Sequence, residues 1–175
     1  MKSVWLTGAG ALALAGALPA SAQRATSAYT PLDAERCQVI ERIEEGASVR
    51  WRCPGRGGVA LFLNTGDARY DLDAGIDNGR WESLTPLNTP GPNVEWRLRG
   101  GRPIAIIYRL APADPAVDFA PALIVETIGA RGRPGCEIAR IDATRADANL
   151  VARAEADSRA AYFRCGRDQA ATIGR

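Results

Sequence analysis

Four cysteines, Cys37, Cys53, Cys136 and Cys165, constrain this chain more than any other feature. All lie beyond an N-terminal stretch that reads as an export signal, and an even number of cysteines in an oxidising compartment implies disulfides, with three pairings open to four cysteines. A four-cysteine zinc site is the rival arrangement. Such sites use close pairs separated by two to four residues, and even Cys37 and Cys53, the nearest two here, stand much further apart.

The sequence around the cysteines narrows the choice. In the segments Cys37 to Glu44 and Ala47 to Cys53, Val39, Ile43, Val49, Trp51 and Cys53 fall at mostly alternate positions, and Glu45-Gly46 suits a short hairpin connection. Such a hairpin brings Cys37 beside Cys53 at its open end. Further apolar, often alternating runs follow at Val59 to Leu63, Ala68 to Asp73, Asn93 to Arg99, Pro103 to Leu110, Ala122 to Ile128 and Cys136 to Asp142, separated by turn signals such as Gly100-Gly101. In NVEWRLR, Val94, Trp96 and Leu98 point to one side, and Glu95, Arg97 and Arg99 to the other. The alternation implies one core face and one wet face.

After Asp147, an N-cap residue type, the period changes: Leu150, Val151, Ala154, Ala161 and Tyr162 can share a helical stripe. The expectation is an α+β fold, a mainly antiparallel sheet with one C-terminal helix from Ala148 to about Ala161, stapled by Cys37–Cys53 and Cys136–Cys165. Gln23 to Thr30 reads as a polar lead, and Ala74 to Pro92 and Ala111 to Ala120 as irregular stretches.

Lys2, the apolar run from Val4 through Leu18, Pro19 and the small residues Ala20-Ser21-Ala22 form the pattern of a secretory signal peptide. Residues 1–22 would be removed, leaving residues 23–175 as a single periplasmic or secreted domain with no membrane span. A transmembrane anchor needs about 20 predominantly apolar residues, and this run is shorter and broken by Gly10, Gly16 and Pro19.

Composition restricts the chemistry. The 22 basic and 20 acidic residues leave a net charge of +2, one less without Lys2, which gives no electrostatic case for nucleic acid. Histidine is absent, which removes Ser-His-Asp and Cys-His nucleophilic catalysis and His-containing zinc sites. Beyond Lys2 every basic residue is arginine.

Several motifs invite a functional reading. WRCPGRGG, Trp51 to Gly58, offers backbone N–H groups and two arginines to an anion, but it lacks the Lys-Ser/Thr ending and following helix of a phosphate loop. A turn beside a disulfide accounts for it better. In DLDAGIDNGRWE, Asp71, Asp73, Asp77, Asn78 and Glu82 are hard oxygen ligands at calcium-like spacing. Gly75 takes the place of the fifth-position ligand of an EF-hand loop, and Ile76 stands where the sharp turn requires glycine. Glu126, Glu137, Asp142 and Asp147 supply carboxylates for acid-base work with no motif selecting a pair. The outward positions Arg50, Arg52, Arg97, Arg99 and Arg109 can form a basic stripe if their strands share one sheet, and the first four are the candidate binding residues.

WRCPGRGG, NVEWRLR and the ending CEIARIDATRADANLVARAEADSRAAYFRC together resemble a family of small, exported bacterial proteins, a likeness that carries no activity or catalytic residues with it. Small secreted lysozyme inhibitors are similar in size, β content and disulfides, without their inhibitory motif being found here. The sequence therefore leads to a non-catalytic envelope protein with no cofactor, no bound metal and no catalytic residues, engaging an envelope protein or anionic glycan. The alternatives are an inhibitor of a secreted enzyme presenting the Ala74 to Pro92 loop, or a histidine-free hydrolase using paired carboxylates on glycans.

Overall fold

A computed structural model describes residues 24–43, 48–80 and 87–174. The chain runs through β1 (Thr26–Pro31), a single 3-10 turn at Ala34–Arg36, β2 (Gln38–Ile43), β3 (Ser48–Arg56), β4 (Val59–Gly66), β5 (Arg69–Ala74), β6 (Asn88–Arg99), β7 (Arg102–Pro112), β8 (Ala122–Thr127), β9 (Glu137–Asp142), α1 (Ala148–Arg159) and β10 (Ala171–Ile173). The α+β class holds: the strands are mostly antiparallel and the one helix among the described residues packs on them. Both expected disulfides, Cys37–Cys53 and Cys136–Cys165, are formed. Each contributes about 3 kcal/mol in the loop-entropy description.

The strands make two sheets rather than one, a six-stranded sheet ordered β1-β6-β7-β8-β9-β10 and a four-stranded sheet ordered β2-β3-β4-β5. Alternation explains how they stack. Leu61, Leu63, Leu72 and Ala74 of the smaller sheet share one buried cluster with Val94, Trp96, Ile106, Tyr108, Leu110 and Ile124 of the larger. The alternate residues of the larger sheet, including Ala105, Ile107, Leu123 and Val125, meet Ala148, Ala152 and Ala156 of α1 in a second cluster. The layers are therefore small sheet, large sheet, helix, and the large sheet is covered on both faces.

That arrangement corrects four expectations. The lead before Thr30 is not loose: Thr26–Pro31 pairs antiparallel with β6 from Leu98 to Asn93. Residues Asn88–Pro92, read as irregular, belong to β6. The Glu95 and Arg97 face of β6 is not wet, because α1 lies over it and leaves the two residues 6% exposed each. The helix also buries a different stripe. Ala148, Ala152 and Ala156, spaced by four, face the sheet, while Leu150 and Tyr162 are 69% and 80% exposed. Small side chains let the helix backbone approach the sheet closely. The helix ends at Arg159, and Asp147 at its N-cap makes no side-chain cap bond, its carboxylate instead accepting from Arg145 Nε at 2.9 Å.

The stretch WRCPGRGG lies in a β-hairpin. The strand continues past Cys53 with a bulge before Arg56, and Gly57 and Gly58, with φ of 60° and 79°, make the two-residue turn into β4. At Gly55 an added Cβ would sit 1.9 Å from the Val59 carbonyl oxygen. Packing and turn geometry account for these glycines. The proposed signal peptide, the Glu45-Gly46 connection and Glu82 lie outside the described residues, among which no helix is long and apolar enough to cross a membrane.

The alanine stripe has a measurable consequence. Ala152→Leu forces extra volume between helix and sheet and is expected to lower unfolding stability by about 1–3 kcal/mol. Leu150→Ala on the exposed side should change it by under about 0.5 kcal/mol. Denaturant titration of the two variants checks both.

Candidate functional site

The structure separates the four predicted arginines. Arg50 and Arg52 lie on β3 in the small sheet, Arg97 and Arg99 on β6 in the large one, so they form no common stripe. Three of them are engaged within the chain. Arg50 donates through Nε to Asp77 Oδ2 at 3.0 Å and through Nη1 to Glu41 Oε2 at 2.5 Å. Arg97 makes a two-pronged contact with Asp157, from Nε to Oδ1 at 2.9 Å and from Nη2 to Oδ2 at 2.6 Å. Arg99 donates to the backbone carbonyl of Asp157 at 2.6 Å. Arg52 alone remains exposed with no carboxylate within ion-pair reach among the described residues.

Arg97 belongs to a charged cluster under the helix. Glu95, on the same face of β6, accepts from Arg153 Nε at 2.7 Å and Nη2 at 3.1 Å, from Tyr29 at 3.3 Å, and from the Ser27 hydroxyl. Burial pushes the Glu95 carboxyl up, but the Arg153 guanidinium and the Ser27 and Tyr29 hydroxyls overcome that and hold it below the usual carboxylate range. Its other neighbour, Arg97 Nη1, is 3.7 Å away. Two acids and two bases from β6 and α1 thus neutralise one another. Arg109, on the same side of the large sheet, lines a cavity of about 200 Å³ with Glu95, Tyr29 and Asn149.

The candidate carboxylates also disperse. Glu137 accepts from Arg140 Nη2 at 2.7 Å, Asp142 from the Thr144 hydroxyl at 2.6 Å, and Asp147 from Arg145. Glu126 is drawn instead to Asp73, its hydrogen-bonded neighbour across the two sheets, with Asp73 1% and Glu126 4% exposed. Asp73 also accepts from the Asn78 N–H at 3.1 Å. Of the acids with calcium-like spacing, Asp77 is occupied by Arg50, and among the described residues no three acidic, cysteine or histidine side chains are grouped to hold a metal ion.

Sequence reasoning missed a place where three exposed arginines gather, Arg133, Arg164 and Arg167. Two short stretches, RGRPGC (Arg131 to Cys136) and FRCGR (Phe163 to Arg167), are brought together by the Cys136–Cys165 disulfide. The first is a tight turn in which Ala130 and Arg133 exchange backbone hydrogen bonds of 2.8 Å each, with Gly132 at φ 75°. The second leaves the end of α1 and turns back through Gly166 at φ 79°. Between them is a concavity of about 410 Å³, lined by Arg133, Arg164 and Arg167 together with Pro134, Tyr162 and Phe163, and by no acidic residue.

No protein-family model, curated protein or solved structure matches this chain. Chemistry therefore has to be read from the concavity itself. Arg164 is paired with Asp168 at 3.2 Å, whereas Arg133 and Arg167 have no carboxylate within ion-pair reach among the described residues. The walls are fixed. Arg159 donates to the carbonyls of Ile138 and Gln169 at 2.7 Å each and lies 5.0 Å from the Phe163 ring centroid. A rigid frame presenting guanidinium forks beside apolar surface suits recognition of carboxylate or phosphate groups.

The Asp73 carboxyl gives a pH-dependent prediction. Burial and the charge of Asp71 push it up from 3.8 to about 8. A carboxyl raised on folding binds more protons in the native state than in the unfolded state, so its contribution is complete at low pH and is lost as pH rises through about 8. The thermal midpoint should fall over that window, and Asp73→Asn should flatten the fall and exceed the parent midpoint above about pH 8. Scanning calorimetry across pH tests it.

Proposed function

We propose that this protein is an exported, non-catalytic binding protein that engages an anionic partner through the concavity at the end of α1. The observation that carries the reading is the gathering of Arg133, Arg164 and Arg167 around one opening with no acidic residue in its lining. Of the four strand arginines singled out from the sequence, Arg50, Arg97 and Arg99 are engaged by the chain's own acids or backbone, whereas Arg133, Arg164 and Arg167 are exposed. Export is supported by the signal-like N-terminus and by two disulfides, which persist in an oxidising compartment. The absence of histidine, the oxidised state of all four cysteines and the burial of the Asp73–Glu126 pair favour binding over turnover.

The test uses immobilised polyglutamate as the anionic probe. The parent protein should bind it and weaken as salt rises. A triple variant, Arg133→Gln, Arg164→Gln and Arg167→Gln, should bind at least about tenfold more weakly while keeping its thermal midpoint. Equal, salt-insensitive binding by parent and variant contradicts the reading.

A further inference from the structure

The arginine concavity is continuous with a second cleft. Arg133, Pro134, Ala161, Phe163 and Cys165 line both. On their far side the second cleft, about 140 Å³, is walled by Pro103, Ile104, Ile128 and Ala160. Nothing in its lining is acidic, and its aliphatic and aromatic walls contrast with the cationic rim of the larger space.

Resting on the binding function just described, we propose that the two cavities are subsites of one groove, and that the ligand is an acidic peptide segment carrying a single aromatic or branched aliphatic anchor. The carboxylates engage Arg133, Arg164 and Arg167, and the anchor side chain enters the apolar cleft.

Size selects the anchor. An apolar protein cavity of about 150 Å³ accommodates one benzene ring, close to the 140 Å³ of the cleft. A ring or a leucine-sized group fits that space, and a long acyl chain does not. Glycans and polyphosphates satisfy the arginines but bring no apolar branch to fill the cleft. A peptide supplies both groups within adjacent residues.

Rigidity adds to the argument. The disulfide, the Arg159 contacts to Ile138 and Gln169, and the Ala130–Arg133 turn hold the walls in place before any ligand arrives. A preformed groove loses little freedom on binding, so a short segment with one anchor suffices. Tyr162, at 80% exposure, lines the same concavity as the three arginines.

The experiment measures fluorescence anisotropy of a fluorescein-labelled peptide in which glutamates flank one phenylalanine, with the full exported domain. A matched probe with serine in place of the phenylalanine should bind about tenfold more weakly. Ile104→Trp, at a half-buried β7 position that lines the cleft and not the arginine concavity, should weaken the phenylalanine probe about tenfold and leave polyglutamate binding and the thermal midpoint unchanged. If the serine probe binds as well as the phenylalanine probe, or if Ile104→Trp has no effect while polyglutamate still binds, the peptide proposal is overturned and the anion-binding function stands. Tighter binding to phosphatidylglycerol vesicles or to polyphosphate, unaffected by Ile104→Trp, overturns it in the same way. Failure of polyglutamate to bind at all removes both.

Discussion

The contact between β6 and α1 governs the rest of this structure. Covering the second face of the large sheet requires burying Glu95 and Arg97, and a buried charge is tolerated only when paired and hydrogen-bonded. The helix answers both, with Arg153 for Glu95 and Asp157 for Arg97, one turn apart on the same side as Ala152 and Ala156. Alanine sets how near the helix comes, and the ion pairs set where along the sheet it sits. Ser27 and Tyr29 of β1 complete the arrangement, so the N-terminal strand is held by the same cluster that holds the helix.

With α1 fixed in this way, its C-terminal end has one position. Arg159 clasps β9 and the following loop, and the Cys136–Cys165 bridge ties that loop to the turn before β9. The groove is a product of these restraints. Its arginines are displayed because the local acid, Asp168, sits outside the lining and engages only one of them. The contrast with Arg50 and Arg97 is physical: a guanidinium beside a carboxylate of its own chain offers little to a partner, and one without such a neighbour offers its full fork.

Much of this was legible in the residues. The hairpin bridge followed from strand alternation around Cys37 and Cys53, and the second bridge from a strand and a helix next to each other in the chain. The face assignment in NVEWRLR was half legible. Alternation distinguishes Trp96 from Arg97, but it does not report whether the charged side meets water or a helix some 60 residues later. Nor does alternation reveal which strands share a sheet, which is why Arg50 and Arg97 were grouped. The helical stripe was misread for a related reason, since the larger Leu150 and Tyr162 outweigh alanine in any hydrophobic pattern although a close contact admits only alanine. The groove had a usable signal: once Cys136 is bonded to Cys165, RGRPGC and FRCGR must be neighbours. Asp73 and Glu126 had none, because their meeting depends on how two sheets stack.

The claim that Arg97, buried between β6 and α1, is structural and the groove arginines functional is tested most directly by a double-mutant cycle on Arg97→Gln and Asp157→Asn, read by both unfolding free energy and binding of the acidic probe. The account predicts a coupling energy of about 1–3 kcal/mol in stability with probe affinity unchanged in every variant. Coupling near zero together with loss of binding in the Arg97→Gln protein would contradict it.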